Sequence, residues 1–171
     1  TDVFEAESIA AGAGKFAWEK GAKVVILPVL PFGVNTGQSD IYLDINMNPS
    51  TQMAILKDIV TVLDRQGVKK FLILNSHGGN DFKTMLRELG LQFPEMMLVT
   101  CNWYQALDKS LYFEEAGDHA DEMETSLIMF LHPKLVLPLE DAGEGKEKKS
   151  VIPGIREKWA WAERKWSEVT E

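Results

Sequence analysis

The sequence predicts an α/β domain with a mainly parallel sheet, on three observations. Short apolar runs at Lys23–Leu27, Phe71–Leu74 and Met96–Cys101 have strand length, helical periodicity fills the intervals between them, and a polar double-glycine turn follows the second run directly. Strands and helices in the order βαβαβ imply parallel pairing with right-handed crossovers. Such sheets present ligand sites at the carboxyl ends of their strands, which puts Asn75-Ser76-His77-Gly78-Gly79-Asn80 at the centre of the reading.

In chain order, an amphipathic helix opens the sequence, with Thr1 placed to cap it, Asp2 in its first turn and Gly21 at its stop. Lys23–Leu27 reads as a buried strand, followed by a loop through Pro28, Pro31 and Gly33 to about Asn48. Ser50 is placed to cap a helix whose apolar face is Met53, Ile55, Leu56, Ile59, Val60 and Leu63, ended by Gln66-Gly67. After the strand Phe71–Leu74 a helix runs from Asn80 or Asp81 to Leu89-Gly90, and Asn80 can serve as its cap. Trp103 and Tyr104 follow the third strand, where they can wall a pocket for a flat ligand or pack into the core. Residues 137–150, rich in Glu, Asp, Lys and Gly, read as a solvated, mobile loop, and 151–171 as a C-terminal helix. That helix would set Trp159 and Trp166 on one face, for a subunit contact or for packing back on the domain.

Length and composition suit one domain over residues 1–171, with 45% hydrophobic residues enough for a core. A net charge of −8, with no basic run longer than that around Lys146–Lys149, argues against nucleic acid or an anionic membrane as partner. The lone Cys101 excludes an internal disulfide framework, and no apolar run nears the ~18 residues of a membrane span. With no secretory leader pattern, a reducing cytoplasm is the expected setting.

His77 beside two glycines offers a neutral nitrogen ligand or a general base at an opening where positive φ and close ligand approach are both possible. By itself the turn reads equally as a tight strand-to-helix connection with a surface histidine. A second polar cluster, Gly117-Asp118-His119-Ala120-Asp121-Glu122-Met123-Glu124-Thr125-Ser126, runs into the apolar helix Leu127–Leu131 and stops at His132-Pro133. Its acids could simply favour a helix N-terminus. Yet the helix that follows must bury its far end, and carboxylates at the lip of a core need a partner, for which a metal ion is suited. His132 reads as a C-terminal cap. Imidazole and carboxylates together suit Zn²⁺, Mn²⁺ or Fe²⁺ better than a thiolate-bound cluster.

Three spaced motifs in order make the chain resemble the creatininase (creatinine amidohydrolase) family: Leu27-Pro28-Val29-Leu30-Pro31-Phe32-Gly33, the Asn75–Asn80 turn, and Gly117-Asp118-His119-Ala120 with Met123-Glu124-Thr125-Ser126, continued by Pro133-Lys134-Leu135-Val136. The resemblance implies a three-layer α/β/α sandwich, a homo-oligomer that is often hexameric, and hydrolysis of a small-molecule amide by water activated at two divalent ions, zinc first, with manganese or iron as alternatives. It makes Asp2 the bridging ligand, His77 a ligand of one ion and Glu124, or failing it Glu122, a ligand of the other. Beside these ligands, His119 with Asp118 suits a proton shuttle, since imidazole titrates near neutrality, and Glu122 stands with them among the catalytic candidates. Ser76 and the Gly78 and Gly79 amides can steady substrate or its oxyanion, with Asn80 and Trp103 as further substrate-binding candidates. The family's Glu-x-His would precede residue 1 and a Gly-rich segment would follow residue 171, which implies a longer protein. Gly79 stands where creatininase proper has a glutamate, which places the chain with the His-Gly-Gly-Asn members and leaves creatinine itself outside the reading. The rival expectation is a non-catalytic or anion-binding member, with the glycine turn holding an anion.

Overall fold

Strand β1 (Lys70–Asn75) runs parallel to β2 (Met97–Asn102) in the register Lys70↔Met97 to Asn75↔Asn102, so the two strands finish side by side on a pair of asparagines. The computed structural model describes residues 1–115, 117, 119–143, 145 and 147–169. Side chains alternate along β1: Phe71 and Ile73 face the core while Leu72 is turned outward. Around the strands lie α1 (Asp2–Glu19), α2 (Pro49–Arg65), α3 (Phe82–Gln92) and α4 (Glu122–Leu131), with one-turn helices α5 (Pro153–Arg156) and α6 (Trp166–Val169) near the end of the chain.

The core joins Leu56 and Val60 of α2 to Met85 and Leu89 of α3 and to Met96, with Phe71, Ile73 and Leu98 packed against them. Both helical pairs are spaced i, i+4, one above the other on a single face. Burying side chains of this size is worth roughly 1.5–3 kcal/mol each, which fixes α2 and α3 on the strands. On the other flank α1 meets β1 and α4. There Ser8 Oγ lies 3.3 Å from His132 Nε2, and the Phe4 ring stands 5.3 Å from the His132 ring. His132 is the C-terminal cap of α4, as its position in the sequence suggests.

Several boundaries differ from expectation for local reasons. The Thr1 hydroxyl donates to Asp2 Oδ1 and caps no helix amide. Pro49 takes the first position of α2, where no N–H is needed, so Asn48 is the cap residue and Ser50 lies inside the first turn. At α3 the cap is Asp81, which accepts from Thr84 N at 3.3 Å and from Thr84 Oγ1 at 2.6 Å; Asn80 is used elsewhere.

Lys23–Leu27 forms no ladder among the described residues: it has no strand beside it there, and Val25 is 87% exposed. A strand exists only where a neighbour takes its backbone groups, and composition cannot supply that neighbour. The architecture is therefore α/β, with a two-stranded parallel sheet among the described residues. At the other end, no continuous helix spans 151–171. Lys158 adopts φ +63°, and the amides of Trp159 and Ala160 fold back on Gly154 O at 3.1 and 2.9 Å, closing α5 after one turn. Trp159 and Trp166 thus share no helical face. The apolar end of α4 is also more open than its composition predicts, with Phe130 83% exposed while Met123 and Ile128 are buried. Glu144 and Lys146 of the 137–150 loop, and Thr170 and Glu171 of the tail, lie outside the described residues. Among those described, no helix is long and apolar enough to cross a membrane.

Candidate active site

Asn75, buried at the end of β1, builds the turn that follows. Its Nδ2 donates to His77 O and to Asn102 Oδ1, both at 2.9 Å, and its Oδ1 accepts from His77 N at 3.2 Å and Asn80 Nδ2 at 3.0 Å. Every hydrogen-bonding position of this buried amide is used, which holds the turn in one shape. Asn80 then ties the turn to two distant segments, its Oδ1 accepting from Val34 N at 3.0 Å and Gln52 Nε2 at 2.8 Å. Its carboxamide is thus engaged in holding the turn to these segments.

The glycines serve close approach, not unusual φ: neither Gly78 nor Gly79 has positive φ. A Cβ on Gly79 would collide with the Val34 carbonyl oxygen and come within 2.6 Å of His77 Nε2. A Cβ on Gly78 would meet only the Tyr104 hydroxyl, at 3.9 Å.

This packing seats His77 between two acceptors. Nε2 lies 3.0 Å from Val34 O and Nδ1 lies 3.0 Å from Asp2 Oδ2. A carbonyl can only accept, so Nε2 carries hydrogen toward Val34, and Nδ1 is the nitrogen that either donates to Asp2 or offers a lone pair on that side. The hydrogen bond to Asp2 raises the His77 pKa against the opposing effect of burial, and the Val34 carbonyl adds to the rise. Burial pushes Asp2 upward, but the hydrogen bond and charge of His77 outweigh it and leave the carboxyl below its ordinary value.

Glu5, one turn after Asp2 on α1, is 0% exposed, and neither of its carboxylate oxygens has a hydrogen-bond partner. Burial, then the charges of Glu124 and Asp2, push it up to about 7. Glu124 is raised as well, first by burial, against the Ala120 amide that donates to its Oε2 at 2.7 Å. Three carboxylates thus gather near one imidazole, where α1, the β1 turn and α4 meet.

Asp2, His77 and Glu124 line one open cleft of about 980 Å³, together with Ser76, Gly78, Gly79 and His119. The His119 ring stands 4.9 Å from the Trp166 ring, and Trp166 is carried by a C-terminal segment that forms part of the cleft wall. Asp118 lies outside the described residues. Two expected site residues are engaged elsewhere. Glu122 Oε2 accepts from Glu114 N and Glu115 N at 2.8 and 3.0 Å, so it holds the preceding loop. Trp103 Nε1 donates to Ser76 Oγ at 2.8 Å, and it is Tyr104 rather than Trp103 that lines the cleft.

Sequence reasoning missed Glu5, the Val34 carbonyl and the C-terminal wall, while Tyr104 lines the cleft as one of the two aromatics the sequence offered for a pocket wall. Only Glu5 left a signal there, a carboxylate three positions after Asp2 and so on the same helical face. In kind, the donors fit a divalent cation: one imidazole, several carboxylates, and a buried carboxylate with no protein partner. They surround the cleft without forming a ready cluster, since no three His, Cys, Asp or Glu among the described residues converge as a coordination shell.

The chain matches the creatinine amidohydrolase (creatininase) family over residues 1–171. It belongs to that family. Its fold is similar to that of a Bacteroides fragilis protein provisionally named a creatinine amidohydrolase, with TM-score 0.89 and 41% sequence identity. The likeness covers 97% of this chain and 66% of that one, so the creatininase-family chain described here spans slightly less than two thirds of that neighbour. No protein of curated function matches it.

Proposed function

We propose that this creatininase-family chain carries the active site of a metal-dependent amidohydrolase that cleaves a non-peptide or cyclic C–N (amide) bond of a small molecule. The observation that carries the reading is the 3.0 Å contact of Asp2 with His77 on a cleft that Glu124 also lines. Asp2, His77 and Glu124 would hold two divalent ions there, with zinc first and manganese or iron as alternatives. Bound there, such ions supply a Lewis acid and a water acidified toward neutrality.

The remaining roles fall to this chain's own groups. Val34 O orients His77 by accepting from Nε2. His119, with Asp118 beside it in sequence, hands a proton to the leaving nitrogen. The Gly78 and Gly79 amides line the cleft and make no hydrogen bond among the described residues, which leaves them available to a developing oxyanion. Ser76 Oγ, which accepts from Trp103 and also eases the charge of Glu5, lines the cleft where substrate would sit. With Glu122 holding a loop, Glu124 is the acid left for the ion.

For the whole protein we propose the family's three-layer α/β/α sandwich and its hexameric assembly. Elemental analysis of the purified protein for Zn, Mn and Fe, paired with a hydrolysis screen of small cyclic and N-acyl amides, tests the reading. Metal near two ions per chain and amide turnover support it; a metal-free protein stabilised by phosphate would turn the reading to anion binding.

A further inference from the structure

We propose that Glu5 is an additional ligand of the cation site, adding a third carboxylate to those of Asp2 and Glu124 and shifting its preference toward an oxygen-preferring ion such as Mn²⁺ over Zn²⁺. The inference rests on the metal-site reading of Asp2, His77 and Glu124.

A fully buried carboxylate is normally paired with a cation or with several N–H donors, because losing its hydration costs several kcal/mol. Glu5 lacks both: neither oxygen has a hydrogen-bond partner of normal geometry, and the like charges of Glu124 and Asp2 act on it more strongly than the amino terminus that opposes them. Ser76 is the one neighbouring side chain that eases its charge, and Ser76 itself lines the cleft. As packing alone, the position would be better filled by Leu or Met, since α1 here turns toward β1 and the apolar α4. A carboxylate at that place is accounted for by a positive charge arriving from the cleft.

Placement agrees. Glu5 follows Asp2 by three residues, so the two carboxylates rise from one face of the first turns of α1, and Glu124 approaches from α4. Glu7, on the same helix, is exposed and shows what an ordinary acid of α1 looks like. The ion preference follows from the donors. Two carboxylates and an imidazole suit zinc; a third carboxylate adds a hard, anionic oxygen and moves the set toward ions that accept more oxygen ligands.

The test is calorimetric titration of the metal-stripped protein with MnCl₂ and with ZnCl₂, on the unaltered chain, Glu5→Gln and the control Glu7→Gln, with melting temperatures of the stripped forms. Glu5→Gln should weaken Mn²⁺ binding at least tenfold and Zn²⁺ binding less, while raising the melting temperature of the stripped protein. Glu7→Gln should change neither. If Glu5→Gln binds both ions within twofold of the unaltered chain, Glu5 is no ligand and the inference falls while the metal-site reading stands. If the unaltered chain binds neither ion, both fall together. Should Glu5→Gln fail to fold, Glu5→Asp carries the test: a shorter carboxylate must weaken Mn²⁺, and unchanged affinity overturns the inference.

Discussion

The Asp2 carboxylate and the His77 imidazole meet at 3.0 Å although 75 positions separate them in sequence, joining the first turn of α1 to the end of β1. Replacing His77 by Ala removes the proposed nitrogen ligand and the partner of Asp2. We expect loss of one tightly bound ion and about 1 kcal/mol of stability, a small figure because Asp2 is partly solvated. His119→Ala should keep the full metal content and lower kcat. Equal metal loss in the two variants, read by elemental analysis, would reverse these roles.

The metal-stripped protein should lose stability as pH rises from about 4.5 to about 7 through Glu5, whose pKa is pushed up to about 7 by burial and by the charges of Glu124 and Asp2. The folded state holds that proton where the unfolded chain has released it, so rising pH favours unfolding across the interval. Glu124, raised above 4.5, acts in the same direction. The contribution of His77, raised above 6.5, is present below that value and is lost as pH climbs through its folded pKa. Asp2 is held below 3.8, so its contribution is present above 3.8 and is lost only in stronger acid. Thermal melts in chelator from pH 4 to 8 should decline toward neutrality, and Glu5→Gln should flatten that decline. An unchanged slope in the variant would remove Glu5 as its source.

What could be read from the sequence follows from which forces are local. Helical periodicity and caps are local, and α1 to α4 fall close to their expected places; β1 and β2 are apolar runs that found each other across α3. Lys23–Leu27 is equally apolar, but strand formation depends on a neighbour that composition does not name. The tail fails as a helix at Lys158, where a left-handed residue turns the chain and no glycine marks the spot. In the site, Asp2, His77 and Glu124 stand out in spaced motifs of the sequence, and the fold brings the three to one cleft. Glu5 does not stand out, because an acid in an amphipathic helix usually faces water, and only the packing of α1 against β1 and α4 shows this one enclosed.

The two glycines after His77 should respond differently to one added methyl group. Gly79→Ala forces a Cβ against Val34 O and His77 Nε2, and the backbone on both sides is held by Asn75 and Asn80. A cost of about 1–3 kcal/mol is expected, with weaker metal binding as His77 is displaced. Gly78→Ala has room, and should stay within about 0.5 kcal/mol of the unaltered chain. Denaturant midpoints measure both, and similar values for the two variants would contradict the packing described for Gly79.

Asp40 fastens the C-terminal segment beside the cleft. Its Oδ1 accepts from Trp166 N and its Oδ2 from Ser167 N, each at 3.1 Å, and Oδ2 also accepts from the Ser167 hydroxyl. These bonds hold its carboxyl below the usual carboxylate value, so the tie persists through mild acid. Since Trp166 also meets His119, releasing the tie should free this part of the cleft wall without touching the core of α2 and α3. We expect Asp40→Ala to accelerate tryptic cleavage after Arg164 and Lys165 several-fold, while cleavage within α2, at Lys57 and Arg65, keeps its rate. A variant cut at the same rate at all four sites would show that the segment is held by something other than Asp40.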